Sequence, residues 1–242
     1  MKRRIPFFVF GFCMIYSFSC KTDLATITGN GVIVNKEIAI GDYQRVELML
    51  GADVYYEQQS AKEPYCQINI DENILPFIEV YVKDNQLTIK SVDKKNISPS
   101  QFTIYTNSAD LKGIKLLGSG AFNMKKEVNA KQMDIEIKGS GAIASDSLYC
   151  EKLSLSIDGS GKAVLNGAGS SSSLQINGSG SVNSVNFFVM NQDCHITGSG
   201  GMQVRTGEKL NVEINGSGKV SYKGDPHVNT SITGSGVVNR ID

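Results

Sequence analysis

Residues 174–182 read LQINGSGSV, and the tripeptide Gly-Ser-Gly within this stretch occurs seven times along the 242-residue chain. Successive copies lie 18 to 21 residues apart, and their first glycines are Gly118, Gly139, Gly159, Gly178, Gly198, Gly216 and Gly234. A nearly constant interval of this length is typical of a protein built from one small repeated unit. We therefore expect residues 111–242 to form a regular array, preceded by irregular first coils and a cap in residues 29–110.

The residues around each tripeptide alternate between apolar and polar. The residue two positions before the first glycine is leucine or isoleucine in every copy, and the residue four positions after it is apolar, as in Ile176 and Val182. The positions between them are mostly polar, as in Gln175 and Asn177. A period of two is typical of a half-buried β-strand, whose successive side chains face opposite sides. Each unit is therefore predicted to contain a strand with one side facing a core.

Counted through the tripeptide without interruption, the same alternation places both glycines inside and the serine outside. The predicted inner residues are Gly118, Gly120, Gly139, Gly141, Gly159, Gly161, Gly178, Gly180, Gly198, Gly200, Gly216, Gly218, Gly234 and Gly236. The predicted outer residues, which form a candidate binding ladder, are Ser119, Ser140, Ser160, Ser179, Ser199, Ser217 and Ser235. Because a glycine pair in a strand marks a bend or a close backbone approach, every unit is expected to bend at this place.

The length of the unit favours a stack of parallel strands over an antiparallel meander. A meander needs a turn signal every 8 to 12 residues or so, which is about half the interval seen here. The chain is therefore predicted to be all-β and to form a β-solenoid, in which each coil covers its neighbours. A solenoid exposes strand edges at its ends, and the irregular N-terminal residues are expected to cover one of them. Residues 167–173, GAGSSSS, are predicted to be a flexible loop outside the coils.

Taken together, residues 29–242 resemble the head GIN domain family of putative auto-transporter adhesins. The resemblance rests on the seven tripeptides and on GNG at 29–31, GADV at 51–54, DENILP at 71–76 and VYV at 80–82. It implies a right-handed parallel β-helix in a secreted protein of the bacterial cell envelope. It brings no known catalytic residues.

The first 19 residues have the composition of a secretory signal. Three basic residues follow Met1, and the apolar run of residues 5–18 is too short to span a membrane. We expect cleavage before Cys20, because a cysteine directly after the cut resembles the lipobox of bacterial lipoproteins. Residues 20–28 would then form a lipidated tether, and the exported protein would be attached to the membrane, as an outer-membrane lipoprotein, through Cys20. Signal cleavage without lipidation is the alternative.

The composition and motifs argue against several classes of ligand. The chain has 24 basic and 24 acidic residues, and removal of the signal leaves a slight acidic excess, so a basic footprint for nucleic acid is missing. The Gly-Lys pairs at 161–162 and 218–219 lack the spacing of a phosphate-binding loop. The glycines are not followed by the aspartates of calcium-binding solenoids, and His195 and His227 have no cysteine or histidine at metal-ligand spacing. We expect no metal and no cofactor.

Cysteines and aromatic residues also occur between the tripeptides. Cys66, Cys150 and Cys194 are expected to be buried free thiols, because coils two apart are too distant for a disulfide. Phe187 and Phe188 are expected to lie in the core.

Glu136 and Asp158 are the candidate pair of catalytic carboxylates, since they fall on the outer side of adjacent coils near Lys138. Such a cluster on a mixed-charge surface is more commonly a solvated ladder. The sequence therefore favours a non-catalytic adhesion or binding module that presents a regular polar surface to a glycan or a cell-surface protein. A polysaccharide-active β-helix enzyme and a passive spacer of the envelope are the alternatives.

Overall fold

The structure, a computed structural model, describes residues 26–242, which are almost entirely β-strand. The predicted signal sequence of residues 1–19 and the predicted lipidation site Cys20 lie outside the described residues. Two single turns of 3-10 helix are present, Leu75–Phe77 and Val92–Lys94. The strands are β1 (Ile27–Thr28), β2 (Ile33–Ala39), β3 (Arg45–Leu48), β4 (Asp53–Gln58), β5 (Tyr65–Asp71), β6 (Ile78–Lys83), β7 (Gln86–Ser91), β8 (Ile97–Ser98), β9 (Phe102–Ser108), β10 (Gly113–Gly118), β11 (Ala121–Gly139), β12 (Ala142–Gly159), β13 (Lys162–Gly178), β14 (Ser181–Gly198), β15 (Gly201–Gly216), β16 (Lys219–Lys223), β17 (His227–Gly234) and β18 (Val237–Arg240).

From β10 onward the strands stack in parallel, each coil on the one before it. Strands β11 to β15 each run from one tripeptide to the next, so one strand makes one whole coil. The register keeps equivalent residues opposite each other, with Ile176 opposite Ile196 and Gly178 opposite Gly198. The prediction of a parallel β-solenoid is therefore confirmed.

Each coil contains three stretches of paired backbone. In β13, the residues that pair with β14 are 162–164, 166–168 and 171–178. We call these three stretches the first, second and third segments of the coil. A register shift separates the first segment from the second, as a β-bulge does. The third segment is the longest and keeps one register in every coil from β11 to β15.

The inward side chains form one continuous core along the stack. The leucine or isoleucine two positions before each tripeptide is at most 2% exposed in six of the seven copies, from Leu116 to Ile214. Burial of one such side chain stabilises the fold by about 1.5 to 3 kcal/mol. Ile232, in the last coil described, is 42% exposed. The repeated apolar position thus acts as the spine of the solenoid wherever a coil has neighbours on both sides.

The tripeptide is a bend, and only its second glycine faces inside, which corrects the prediction for the first. Gly180 is buried, and a Cβ atom on it would lie 2.7 Å from Cγ2 of Ile157 in the preceding coil. Gly178 is partly exposed with a φ of +126°, and its Cβ would lie 2.5 Å from the carbonyl oxygen of Gly159. The alternation cannot be counted through the tripeptide, because the positive φ turns the backbone and ends the strand at Gly178. The serine between the glycines is exposed in all seven copies.

Residues 167–173 form part of β13 and not the flexible loop that their composition predicted. They pair with β12 on one side and with β14 on the other. Gly167 has a φ of +130°, and a Cβ on it would lie 2.0 Å from the carbonyl oxygen of Leu148. A Cβ on Gly169 would lie 2.8 Å from the carbonyl oxygen of Cys150. The glycines here permit a close approach of two strands.

The N-terminal residues add a first coil and cover its outer side. Strands β3 and β4 pair in parallel with β10 and β11, and residues 49–52 connect them at the place of a tripeptide. Strands β7 and β9 pair in parallel with β3 and β4 of this coil. On their other side, β7 pairs with the antiparallel β6, and β9 pairs with the antiparallel β5. Strand β5 in turn pairs with the antiparallel β2. The irregular N-terminal cap expected from the sequence thus mixes strands β7 and β9, which are parallel to the first coil, with the antiparallel strands β6, β5 and β2.

The buried carboxylate of Asp71 ties this cap together. It accepts hydrogen bonds of 2.7 Å from the backbone N–H of Gly31, the backbone N–H of Ser100 and the hydroxyl of Ser100. Burial raises the pKa of Asp71, but the hydrogen bonds from Ser100, Gly31 and Gln101 outweigh burial and hold the pKa below its usual range. The carboxylate thus links the start of β2 to the segment that enters β9.

Candidate functional site

The outward side chains of the third segments form three columns along the solenoid, and we call this surface the polar face. Neighbouring members of a column stand about 4.8 Å apart, the spacing of paired strands. The middle column contains Lys115, Glu136, Ser156, Gln175, His195, Glu213 and Ser231. The two flanking columns contain Asp134, Ser154, Ser173, Asp193, Asn211 and Asn229 on one side and Leu117, Lys138, Asp158, Asn177, Thr197, Asn215 and Thr233 on the other.

Several members of these columns bond to their neighbours in the next coil. Asn177 donates a hydrogen bond of 2.7 Å to the Asp158 carboxylate, and Asn211 donates one of 2.7 Å to Asp193. The side-chain oxygen of Asn211 in turn accepts a bond of 3.0 Å from Asn229. The columns are therefore side-chain ladders in which each amide stabilises the position of the next.

Glu136 and Asp158, the candidate catalytic pair, have separate partners. The register places Ser156 opposite Glu136, and it places Lys138 opposite Asp158. Glu136 forms an ion pair with Lys138, which raises the pKa of that lysine through a hydrogen bond and the opposite charge. Asp158 accepts the bond from Asn177. The two carboxylates thus belong to two different columns of the polar face, and each has its own partner.

A depression of about 480 Å³ lies on the polar face toward its C-terminal end. Asp193, Asn211, His195 and Glu213 are among the residues that line it. Nε2 of His195 lies 3.1 Å from a carboxylate oxygen of Glu213, and both side chains are exposed, as the alternation predicted for His195. The depression offers hydroxyl, amide and carboxylate groups, of which those of Asp193, Asn211 and Asn229 already bond to one another.

The candidate serine ladder borders the polar face. Its residues, Ser119, Ser140, Ser160, Ser179, Ser199, Ser217 and Ser235, are exposed. The backbone N–H of Ser199 donates a hydrogen bond of 3.0 Å to the carbonyl of Gly178, and the same bond recurs from coil to coil. The hydroxyl oxygens of Ser179 and Ser199 are 3.2 Å apart. The backbone of the tripeptide is thus used for stacking, whereas the hydroxyls remain on the outside.

The three cysteines of the described chain are buried free thiols. Burial raises the pKa of Cys66 to about 12 and the pKa of Cys150 to about 11. Within residues 26–242 there is no group of three or more histidine, cysteine, aspartate or glutamate side chains placed to hold a metal ion.

A second depression, of about 800 Å³, lies beside the second segments of three coils, and we call it the side groove. Its lining includes Asn129, Lys131, Tyr149, Glu151, Ala168 and Ser170. This groove could not be predicted from the sequence, because the register shifts between the first and second segments prevent a count of facing positions from the tripeptide alone.

The two adjacent aromatic residues of the coil next to the side groove, Phe187 and Phe188, differ in their burial. Phe187 lies in the core as predicted, whereas Phe188 is 37% exposed, which corrects its assignment to the core. The guanidinium of Arg205 lies 5.7 Å from the ring centre of Phe188. Successive side chains of a strand face opposite sides, so two adjacent phenylalanines cannot both enter the core.

Within residues 26–242, no helix has the length and apolar character needed to cross a membrane. The solenoid resembles three solved structures over most of its length. A putative adhesin from Bacteroides fragilis is 25% identical with a TM-score of 0.84, and the match covers 89% of this chain and 100% of the other. A putative lipid binding protein from Parabacteroides distasonis is 30% identical with a TM-score of 0.75 and coverages of 90% and 100%. A putative adhesin from Parabacteroides merdae is 26% identical with a TM-score of 0.72 and coverages of 90% and 99%.

No curated protein matches the chain. The family described as "Putative auto-transporter adhesin, head GIN domain" matches residues 42–226, which include the first coil and six of the seven tripeptides in full. The match and the repeated bend agree with the solved structures of similar adhesins. The chain belongs to the auto-transporter adhesin head GIN domain family.

Proposed function

We propose that the protein is a non-catalytic binding module of the cell envelope that holds an extended glycan or a partner protein on its polar face. The observation that carries the proposal is the constant register of the third segments, which repeats the same outward positions from Lys115 to Ser231. Membership of an adhesin family supports a place in the envelope.

The side chains of the polar face suit many weak contacts. The Asn211 amide donates one hydrogen to Asp193 and accepts one from Asn229, which leaves its second amide hydrogen for a ligand. The serine hydroxyls next to the face can both donate and accept. Equivalent groups at about 4.8 Å intervals match a ligand that is itself a repeating polymer, because each added contact becomes intramolecular once the first has formed.

The arrangement of the carboxylates supports binding without turnover. Glycoside cleavage by two carboxyl groups needs one on each side of the bond, one acting as acid and the other as base or nucleophile. Here the Glu136 carboxylate is engaged by Lys138, and that of Asp158 by Asn177. Both carboxylates therefore form contacts within the polar face.

Affinity electrophoresis of the purified protein in gels that contain bacterial envelope polysaccharide tests the proposal. We expect the polysaccharide to retard the wild-type protein, and we expect the retardation to fall stepwise as Asn177, Thr197 and Asn215 are replaced by alanine. Asn183→Ala and Gln203→Ala are matched controls, because these exposed residues lie on the first segments of neighbouring coils. The gel should release no reducing sugar.

Two results would replace the proposal. A cleavage activity that Glu136→Gln or Asp158→Asn abolishes would establish the enzyme alternative. A protein that no envelope polymer or envelope protein extract retards, with face variants that equal the wild type, would leave the spacer alternative.

A further inference from the structure

The side groove is built from equivalent residues of three successive coils. Asn129, Tyr149 and Ala168 are opposite one another in the register, and Ala130, Cys150 and Gly169 follow them. The groove of about 800 Å³ is thus continuous across the coils and runs along the solenoid axis.

Tyr149 is the one aromatic residue in the lining of the groove. Its side chain is 43% exposed, and its partner in the next coil, Ala168, carries only a methyl group. Gly167 and Gly169, on either side of Ala168, have no room for a Cβ atom because the backbone of the preceding coil is too close. The ring therefore stands beside a flat strip of backbone.

Two of the four charged residues in the lining of the groove differ from those of the polar face in having no partner within residues 26–242. Lys131 and Glu151, which lie in adjacent coils, are exposed and form no ion pair or side-chain hydrogen bond with residues 26–242. By contrast, Asp158, Asp193 and Glu213 on the polar face are all bonded. The groove thus offers an unoccupied ammonium group and an unoccupied carboxylate next to an aromatic ring.

The charges of the groove also balance. Besides Lys131 and Glu151, its lining contains Asp110 and Lys112, which form an ion pair of 3.1 Å. Two acids and two bases give no net attraction for a polyanion or a polycation. A lipid chain would leave the ammonium and carboxylate groups desolvated without partners, which is unfavourable. The ligand that suits the groove is neutral and rich in hydroxyl groups.

We propose that the side groove binds a neutral glycan, with one sugar ring packed on Tyr149 and its hydroxyls bonded to Lys131 and Glu151. A pyranose presents C–H groups on its face and hydroxyls around its edge, so it needs an apolar ring together with both donors and acceptors. Because the groove crosses three coils, it accommodates several sugars of an extended chain. The side groove would thus be a second binding site, separate from the polar face, with its own class of ligand.

Titration of the full-length protein with neutral oligosaccharides, followed by saturation-transfer NMR, tests the inference. The probes are cellohexaose, laminarihexaose and mannohexaose, with oligogalacturonate as the acidic comparison. We expect at least one neutral probe to bind, and we expect Tyr149→Ala to weaken its binding by about tenfold. Tyr149→Phe keeps the ring and should keep most of the affinity. Tyr105→Ala is the matched control, because it removes an exposed ring from strand β9 of the cap, outside the groove lining.

Three results would overturn the inference: no neutral probe binds the wild type, Tyr149→Ala binds as tightly as the wild type, or oligogalacturonate binds more tightly in a salt-sensitive manner. The circular dichroism spectrum verifies that each variant is folded, and Glu151→Gln provides a second variant with a several-fold loss expected. Variants of the polar face should bind the oligosaccharides normally. A wild-type protein that binds oligosaccharides but is not retarded by polymer therefore counts against the polar face alone, and a wild-type protein that is retarded by polymer but binds no oligosaccharide counts against the groove alone.

Discussion

A Cβ atom on Gly198 would lie 2.5 Å from the carbonyl oxygen of Gly178, its counterpart in the preceding coil. The same carbonyl accepts a hydrogen bond of 3.0 Å from the backbone N–H of Ser199. Gly198 also has a φ of +121°, a conformation that residues with a Cβ adopt only under strain. The first glycine of the tripeptide is therefore required by its dihedral angle and by the lack of space above it.

Gly198→Ala should lower the free energy of unfolding by about 2 kcal/mol or more, because the methyl group meets backbone that cannot move aside without breaking the stack. Ser199→Ala, one residue later and exposed, should change it by less than about 0.5 kcal/mol. Urea denaturation followed by circular dichroism measures both. Equal losses for the two variants would show that the close approach of the glycines does not limit stability.

The stability of the N-terminal cap should depend on pH through Asp71. The pKa of Asp71 is lowered in the folded protein, so its contribution is fully present above the unfolded value of about 3.9 and is lost as the pH falls through the lowered folded value. We expect the melting temperature of the wild type to decrease when the pH is lowered below about 4. We expect Asp71→Asn to have a lower melting temperature than the wild type at pH 7 and a weaker dependence on acid pH. Asp225→Asn, at a highly exposed site, is the control. A wild-type acid slope retained in Asp71→Asn would contradict the assignment.

The thiols of Cys66, Cys150 and Cys194 should react only when the solenoid opens. Burial raises the pKa of Cys66 to about 12, that of Cys150 to about 11 and that of Cys194 well above its usual range. At pH 8 little thiolate forms, so alkylation of the native protein should be about a hundredfold slower than in denaturant. Peptide mapping by mass spectrometry assigns the label to each cysteine. Rapid labelling of all three in the native protein would be inconsistent with their burial.

Lipidation of Cys20 remains a prediction from the N-terminal sequence. Cys20→Ala should move the protein from the membrane fraction to the soluble fraction of its bacterial host. Metabolic labelling with a palmitate analogue provides a second readout, since the label should disappear with the same substitution. A wild-type protein found only in the soluble fraction would favour simple secretion.

The fold and the polar face follow from the third segments, where the sequence pattern is continuous. The strand from Gln132 to Gly139, for example, keeps one register with the next coil over its whole length. Alternation and spacing therefore suffice to predict which side chains share a column. The side on which the first glycine of the tripeptide lies could not be predicted from the sequence. Counting alternate positions assumes an extended backbone, and the backbone at Gly178 is not extended, since its φ is +126°.

The side groove and the cap depend on features that a repeat pattern does not contain. Gly167 to Ser173 has the composition of a loop, but strands on both sides supply its backbone partners. The exposure of Tyr149 follows from the small size of Ala168 in the next coil, and their pairing depends on a register shift between Ala144 and Leu148. The role of Asp71 depends on Gly31 and Ser100, which lie 40 and 29 positions away from it in the chain. These contacts become visible only in three dimensions.

The stacking of equivalent glycines also bears on how this surface can evolve. Coils from β11 to β15 pair only with the coil before and the coil after, and the first glycine of each tripeptide from Gly139 to Gly234 makes the same close contact with its counterpart in the preceding coil. Duplication or deletion of one coil, about 20 residues, therefore lengthens or shortens the solenoid by about 4.8 Å and leaves the remaining coils unchanged. The length of the solenoid can thus vary between lineages by copy number, without any new packing solution.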